Sequence, residues 1–409
     1  MSDLVTSKIL KSEKGMAILL ALFFMSIMTF IAVELAYDTS VDYAVASNQV
    51  NRIRAFYAAK AGVEISLLRI NFYKQAIQAL GNNPDLAKKL EIIWSFPFAW
   101  PPSLAGAKVT EVDKSALKSA VEDSLMKAQY AATISPEGGK IDINDLGSDV
   151  KELKKGMIQQ IENVFKAEVE HNEEFSDKYR GYNFLELVNN IADYIDEDSE
   201  SLNGGDESAP YSDFNEPGLT MPPNRPLRTV DELHQVGGMK DDFYNVLAPR
   251  VTAFGTKGIN INYAPKEVLM ALDQSMTEEA ADRVIARRNS NKAGEGPFKD
   301  ETDFYNFVQG FGVNTRAMDE RKVPLLFGTE LNFRVEATGL AGNVKREIIV
   351  VTYDFANLTK SLAEKLTKQE NPNPSNPPVD PPNKPPGNPP SNPENKPKGR
   401  PAVVYWEEN

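Results

Sequence analysis

From Met16 to Val33 the chain carries no charge, and only Ser26 and Thr29 are polar. Helical residues rise 1.5 Å each, so this run spans about 27 Å, close to the thickness of bilayer hydrocarbon. The run passes into Glu34, Asp38, Asp42, Asn48 and Gln49 without a turn signal, and no Pro or Gly occurs between Gly15 and Gly62. Val41, Ala44, Val45, Ala46, Val50, Ile53, Phe56, Tyr57, Val63 and Ile65 then keep a roughly helical apolar spacing. The pattern predicts one helix of more than fifty residues, half in lipid and half amphipathic. Lys8, Lys11 and Lys14 precede it, and the positive-inside bias puts that end in the cytoplasm. A secretory signal would instead close on a small-residue cleavage site after the apolar region.

Two later stretches alternate in the manner of strands. "YAATISPEGGKIDINDL", residues 130–146, flanks Pro-Glu-Gly-Gly and predicts a β-hairpin; "LNFRVEATGLAGNVKREIIVVTYDF", 331–355, predicts a second, with its turn at Gly339 to Asn343. The residues between, about 148–325, lack β alternation and look helical. One α+β domain follows, its small sheet interrupted by a helical insertion and completed by late strands that return to the early ones. Residues 371–401 are a Pro, Asn and Lys mixture that cannot bury a core. The final "AVVYWEEN", 402–409, reads either as a disordered end or as a short strand docked on a partner or on the protein itself.

Charge and composition narrow the function. The 409 residues allow two or three domains, and 45 basic against 58 acidic residues give a net charge of −13. That balance argues against broad nucleic-acid binding and against docking on anionic lipid. There is no cysteine, and the two histidines, His171 and His234, lie far apart in polar stretches, unlike histidine metal sites. With no nucleophile motif either, the chain does not read as an enzyme. The acids, however, cluster: ten fall between Gly181 and Asn224, where no Lys or Arg occurs. Such a run is either a solvated loop or a cation site. Asp196, Asp198, Glu200 and Glu207 match positions 1, 3, 5 and 12 of an EF-hand loop, although Ser201 takes the place of the turn glycine. An oxygen-only ligand set selects a hard cation and favours calcium over magnesium; Asp193 and Asn203 are further candidate ligands.

The charged leader that ends at Gly15 before an apolar helix resembles the class III signal of type IV pilins and pseudopilins. That resemblance implies cleavage between Gly15 and Met16 by a prepilin peptidase that also methylates Met16. The family's fifth mature residue is normally Glu, and Leu20 stands there. A carboxylate in the bilayer needs a partner, and a subunit with nothing ahead of it has none, so Leu20 points to a tip subunit. Four stretches then resemble the general secretion pathway protein K family: "IADYIDEDSESLNGGDESAPY" (191–211), "PPNRPLRTVDELHQVGGM" (222–239), "GININ" with "APKEVLMAL" (258–272), and "GPFKDETDFYNF" (296–307). Tyr263 replaces the family's usual Thr, and Ser208 stands where an acid is common.

The resemblance covers about residues 8–355. It implies a minor pseudopilin at the tip of the type II secretion pseudopilus, helping to initiate or cap assembly. The protein would be single-pass in the inner membrane with its globular part in the periplasm. Its partners would be I-, J- and H-type minor pseudopilins, the major pseudopilin and the prepilin peptidase. The family binds calcium in the acidic region, which implies a calcium site there. The expected organisation is a leader at 1–15, the long helix at 16–70, the first part of the pilin domain at 71–147, the helical insertion at 148–325, returning strands at 326–358 and a Pro-rich tail at 359–409. Residues 258–312 also resemble tandem helix-hairpin-helix modules, giving the insertion a SAM-like region. There "Ser-Met-Thr-Glu-Glu" at 275–279 replaces the glycine hairpin that would nest a phosphate, and Arg283, Arg287 and Arg288 are the only local basic cluster. No nucleic-acid partner is expected. A type IV pilus minor pilin and a membrane-anchored helix-hairpin-helix DNA-binding protein remain the alternatives.

Overall fold

The computed structural model describes residues 13–79, 84–102, 111–214, 221–255, 258–290, 292, 294–321, 324–354 and 400–409. Its first element is a 67-residue helix, Glu13–Ala79, about 100 Å long at 1.5 Å per residue. It passes through Gly15 and Met16 without a break. Its apolar part, with a mean hydropathy of 2.6 over an 18-residue window, has none of that window buried. The sequence pattern is therefore met as a single helix that leaves a membrane-length segment bare.

Strand β1 is Phe98–Trp100, β2 Gln129–Pro136, β3 Ile141–Asp142, β4 Val251–Thr252, β5 Ile259–Asn260, β6 Leu325–Leu326, β7 Phe333–Ala341, β8 Val344–Tyr353 and β9 Ala402–Glu408. Five of them form one sheet in the order β1-β2-β7-β8-β9; β3 pairs with β4 and β5 with β6, both parallel. The hairpin expected at 331–355 is present as β7 and β8. Its turn is tighter than expected, at Gly342-Asn343, so that Gly339 lies within β7. The hairpin expected at 130–146 is not formed. β2 joins β7, while β3 leaves the sheet and pairs with β4, Ile141 opposite Val251. Backbone bonds drawn from the insertion redirect the chain there: Asn260 N donates to Gly138 O at 2.8 Å, and Ile141 N donates to Arg250 O at 3.0 Å. Local alternation could not foresee partners more than a hundred residues away.

Contacts divide the chain into two units: residues 1–61, 99–131 and 338–347, and residues 62–98, 132–337 and 348–409. In the first, Ala55, Ala58 and Ala59 of the long helix are buried, and their small side chains admit Gly339 of β7 against the helix backbone. In the second, Val63, Leu67, Ile70, Tyr73 and Ile77 recur every three or four residues and are buried, as an amphipathic helix requires. Tyr73 meets Trp94 and Phe333 edge-on at 6.2 and 5.9 Å between ring centres.

The insertion is mainly helical. Its longest helix, Lys151–His171, packs on Glu173–Tyr179, Phe184–Ile195, Asp241–Leu247 and Lys266–Ala271. Phe165 stacks on Phe184 at 4.7 Å and meets Phe243 at 5.8 Å. A polar group also lies inside this unit. Glu137, completely buried, accepts from Arg334 Nε at 3.1 Å and Nη2 at 3.2 Å and from Thr252 Oγ1 at 2.7 Å, and pairs with Lys140 at 3.1 Å. The arginines of the helix-hairpin-helix resemblance are engaged within the protein: Arg288 donates to Ile261 O at 2.6 Å, Arg287 lies over Phe298 and bonds Asp303, and Arg283 pairs with Glu279.

Candidate metal centre in the acidic loop

Helix Phe184–Ile195 sets the geometry of the acidic segment. Leu187, Val188, Ile191, Ala192 and Ile195 form its buried face, which holds the helix rigidly against the insertion core. Asp196 caps its C-terminus, its N–H donating to Ala192 O. A carboxylate there faces the negative end of the helix dipole, an unfavourable place for an anion without a counter-ion. The loop beyond returns through Gly204 and Gly205, whose φ angles of 81° and 93° suit glycine and little else. Glu200 and Asp206 bridge across this turn. The return brings Glu207, eleven residues on, back beside Asp196.

The carboxylate oxygens of Asp196, Asp198 and Glu207 lie within 4.8 Å of one another. Asp196 and Glu207 are buried, Asp198 exposed. The other expected ligands are placed differently. Asp193 is buried next to the group, but its oxygens accept from Ser201 Oγ at 2.9 Å and Leu202 N at 3.1 Å. Asn203 is tied back to the helix: it accepts from Asn189 at 2.9 Å and donates to Glu186 O at 3.0 Å and Asn190 Oδ1 at 2.8 Å. Glu200 is exposed, and its N–H is held by Asp198 Oδ1 at 2.8 Å. Gly15, Met16 and Leu20 lie far from this loop in the chain, on the exposed helix.

Two residues that sequence spacing did not bring forward complete the surroundings. Lys154, in the first turn of Lys151–His171, forms an ion pair with Asp196. It is 42 residues away, and no local signal links the two. Asn224 follows Pro222-Pro223 with a φ of 46°, a left-handed conformation that Asn tolerates better than most residues. Its amide donates to Asp198 O and to Glu207 Oε2, the latter at 3.2 Å. The Pro-Pro-Asn turn was the signal available for it.

The electrostatics are strained. Burial pushes the Glu207 carboxyl up to about 7, against the Asn224 hydrogen bond, and Asp196, Asp193 and Asp198 add to the rise. Asp193 and Asp196 are also pushed upward, first by burial; for Asp196 the Lys154 ammonium opposes the rise and Asp198 adds to it. Among the described residues, buried Asp196 Oδ1, Glu207 Oε1 and Asn224 Oδ1 have no hydrogen-bond partner. Three orphaned oxygens, two of them on carboxylates, suit a hard divalent cation.

This loop lies within a stretch that matches known proteins. Residues 139–256 match a family model described as Type II secretion system (T2SS), protein K, and residues 259–323 match a second model of the same description. These two stretches of the chain are protein K sequence. Protein K is a minor pseudopilin, a structural component of type II secretion. The two matches span the helical insertion, so the acidic loop, the Lys151–His171 helix and the aromatic core all lie in protein K sequence. A chain from the crystal structure of the GspK–GspI–GspJ complex of the enterotoxigenic Escherichia coli type 2 secretion system is similar at 17% identity, covering 57% of this chain and 78% of that one, with a TM-score of 0.44. No curated protein matches. The bare apolar helix suits a single-pass membrane anchor for a protein K.

Proposed function

We propose that this protein K stands at the tip of the type II secretion pseudopilus, where it initiates or caps assembly with I- and J-type minor pseudopilins. Its work is assembly and not catalysis. The observation that carries the tip placement is Leu20, an apolar, half-exposed residue inside the membrane-length window. It stands where a pilin-like subunit normally offers a carboxylate to the amine of the subunit ahead. A subunit with no neighbour ahead would hold that carboxylate unpaired in lipid, at a cost of several kcal/mol. The insertion adds bulk that would obstruct a further subunit above it. The helix would anchor the protein in the inner membrane, and the lysines before it support a periplasmic globular part.

Calcium belongs to the same proposal. Asp196, Asp198 and Glu207 would hold it, with the orphaned Asn224 oxygen as a neutral fourth ligand. The ion would supply countercharge to carboxylates crowded at a helix C-terminus and fix the loop's return. Asp193 would act one step removed, by holding Ser201 and Leu202 in place.

The test of function is co-purification of the membrane-extracted full chain with I- and J-type minor pseudopilins, followed by crosslinking from a site near Met16. Binding to both, with no crosslink to a subunit ahead, is expected. A crosslink that places another subunit's N-terminus directly ahead of Met16 would refute the tip placement.

A further inference from the structure

The chain's last strand is attached to the sheet in an unusual way. β9 runs antiparallel beside β8, from Ile348 opposite Glu408 to Tyr353 opposite Ala402, with one register shift between Val351 and Thr352. Antiparallel neighbours are ordinarily joined by a turn of two to five residues, and the turn sets their register. Here residues 354–401 intervene, 48 in all. A connection of that length cannot dictate register, so the information that seats β9 must lie in β9 and the residues it touches.

Those contacts are specific but shallow. Arg400 pairs with Glu64 at 2.9 Å, Pro401 is buried, and the Tyr405 ring lies against Phe254 at 5.2 Å. Within β9 no side chain is buried, and Val403 and Val404 are each 37% exposed. Tyr405 donates to Glu407 and Trp406 Nε1 to Glu408, so these polar groups serve the strand itself and not its neighbour. β8 is the opposite case: Ile348, Val350 and Val351 are all buried. Without β9, β8 would present a row of unpaired backbone groups backed by an apolar core, the kind of edge that accepts another strand. With β9 in place, the outermost strand carries Glu407 and Glu408, and charged residues blunt an edge.

We propose that the β8 edge is a strand-addition site for an extended peptide, and that the chain fills it with its own residues 400–409 as a tethered, exchangeable ligand. The ligand class is a short β-strand of the Arg400–Asn409 kind: a basic residue and Pro, two Val, an aromatic pair, then acids. Recognition rests on backbone pairing along Ile348–Tyr353, with the Tyr405–Phe254 contact and the Arg400–Glu64 pair setting register. This reading is independent of the protein K assignment and of the calcium site.

The test uses the full chain in detergent and a labelled peptide of residues 400–409. The double variant Tyr405→Pro, Trp406→Pro removes two adjacent N–H groups, one of which faces β8, since successive residues point to opposite sides. The variant is expected to bind the peptide at least tenfold more tightly than the unchanged chain. Hydrogen exchange at 348–353 should be fast in the variant and slowed again by the peptide. Absence of binding by a variant that melts like the parent, peptide protection at another segment, or unchanged exchange at 348–353 would each overturn the proposal. A second version covers a variant that fails to fold: a protease site replacing residues 376–382 in the otherwise unchanged chain, cut after folding. Displacement of the cut tail by excess labelled peptide is expected, and a tail that the peptide never replaces would equally overturn it.

Discussion

Gly339 of β7 rests on the backbone of the long helix at Ala55: a Cβ at position 339 would fall 1.9 Å from Ala55 O and 2.6 Å from Ala59 N. No rotamer change relieves that overlap, because both obstacles are main chain. The strand can approach so closely only because Ala55, Ala58 and Ala59 are also small. Gly339→Ala should therefore push strand and helix apart and cost about 1–3 kcal/mol or more. Denaturation of the detergent-solubilised chain checks this; a variant with the parent's midpoint would show that the contact yields cheaply.

Glu137 offers a second test. It is the sole acid bonded to both Arg334 and Thr252 among the described residues, and it is completely buried. Burial pushes its carboxyl upward, but Lys140 and Arg334 overcome that and hold it below the usual carboxylate range. Glu137→Ala leaves two half-buried cations without their counter-ion, an effect of about 3–5 kcal/mol in comparable cases. A loss of less than about 1 kcal/mol by urea titration would mean that the network contributes little.

Glu330 gives the pH dependence. Complete burial pushes its carboxyl up to about 7; the N–H groups of Asn332 and Leu331 and the Asn260 amide limit the rise, and Glu137 adds to it. A carboxyl raised in the folded state is more protonated there than in the unfolded chain. Its stabilising effect is therefore complete below the unfolded value near 4.5 and is lost as pH climbs to about 7. The loss is on the order of 3 kcal/mol. Glu137, being lowered, acts in the other direction and at lower pH. Glu330→Gln should flatten the decline between pH 5 and pH 7.5, and the difference from the parent profile separates Glu330 from Glu207, which is raised to a similar degree. Parallel profiles for parent and variant would remove Glu330 as the cause.

For the acidic loop, calcium at a hundredfold excess over Kd should stabilise the fold by roughly 2.7 kcal/mol, a rise of several degrees in Tm over chelated protein. Asp196→Asn with Glu207→Gln should abolish the difference. Asn224→Ala should weaken binding without removing it, whereas Glu200→Gln and Asn203→Ala should leave it nearly unchanged, since those side chains lie outside the group of three carboxylates. Calorimetry that shows no heat at millimolar calcium would return the segment to a solvated acidic loop.

The processing expectation is tested by mass. Mature protein extracted from membranes should begin at Met16 and carry a methyl group on its amine. An intact residue 1–15 leader would exclude pilin-type cleavage.

Much of this protein was legible along the chain because the information is local. An uncharged run of bilayer length followed by helical spacing, with no Pro or Gly to interrupt it, specifies one long helix whatever it packs against. Alternation along β7, the Gly342-Asn343 turn and the β-branched run of β8 specify the β7–β8 hairpin for the same reason. The acids of the 196–207 loop stood out as candidate ligands through their own spacing and the absence of bases nearby, and three of them, Asp196, Asp198 and Glu207, do come together. Tertiary structure decided what depends on residues distant in sequence. It sent β3 to β4 instead of β2, because insertion backbone competes for its hydrogen bonds. It set Lys154 and Asn224 beside the carboxylates and drew Asn203 and Glu200 away, because a helix face and a glycine turn, not spacing, aim those side chains. It closed the sheet with β9, which five apolar residues at 402–406 could only suggest, because a strand is stable only where an edge awaits it.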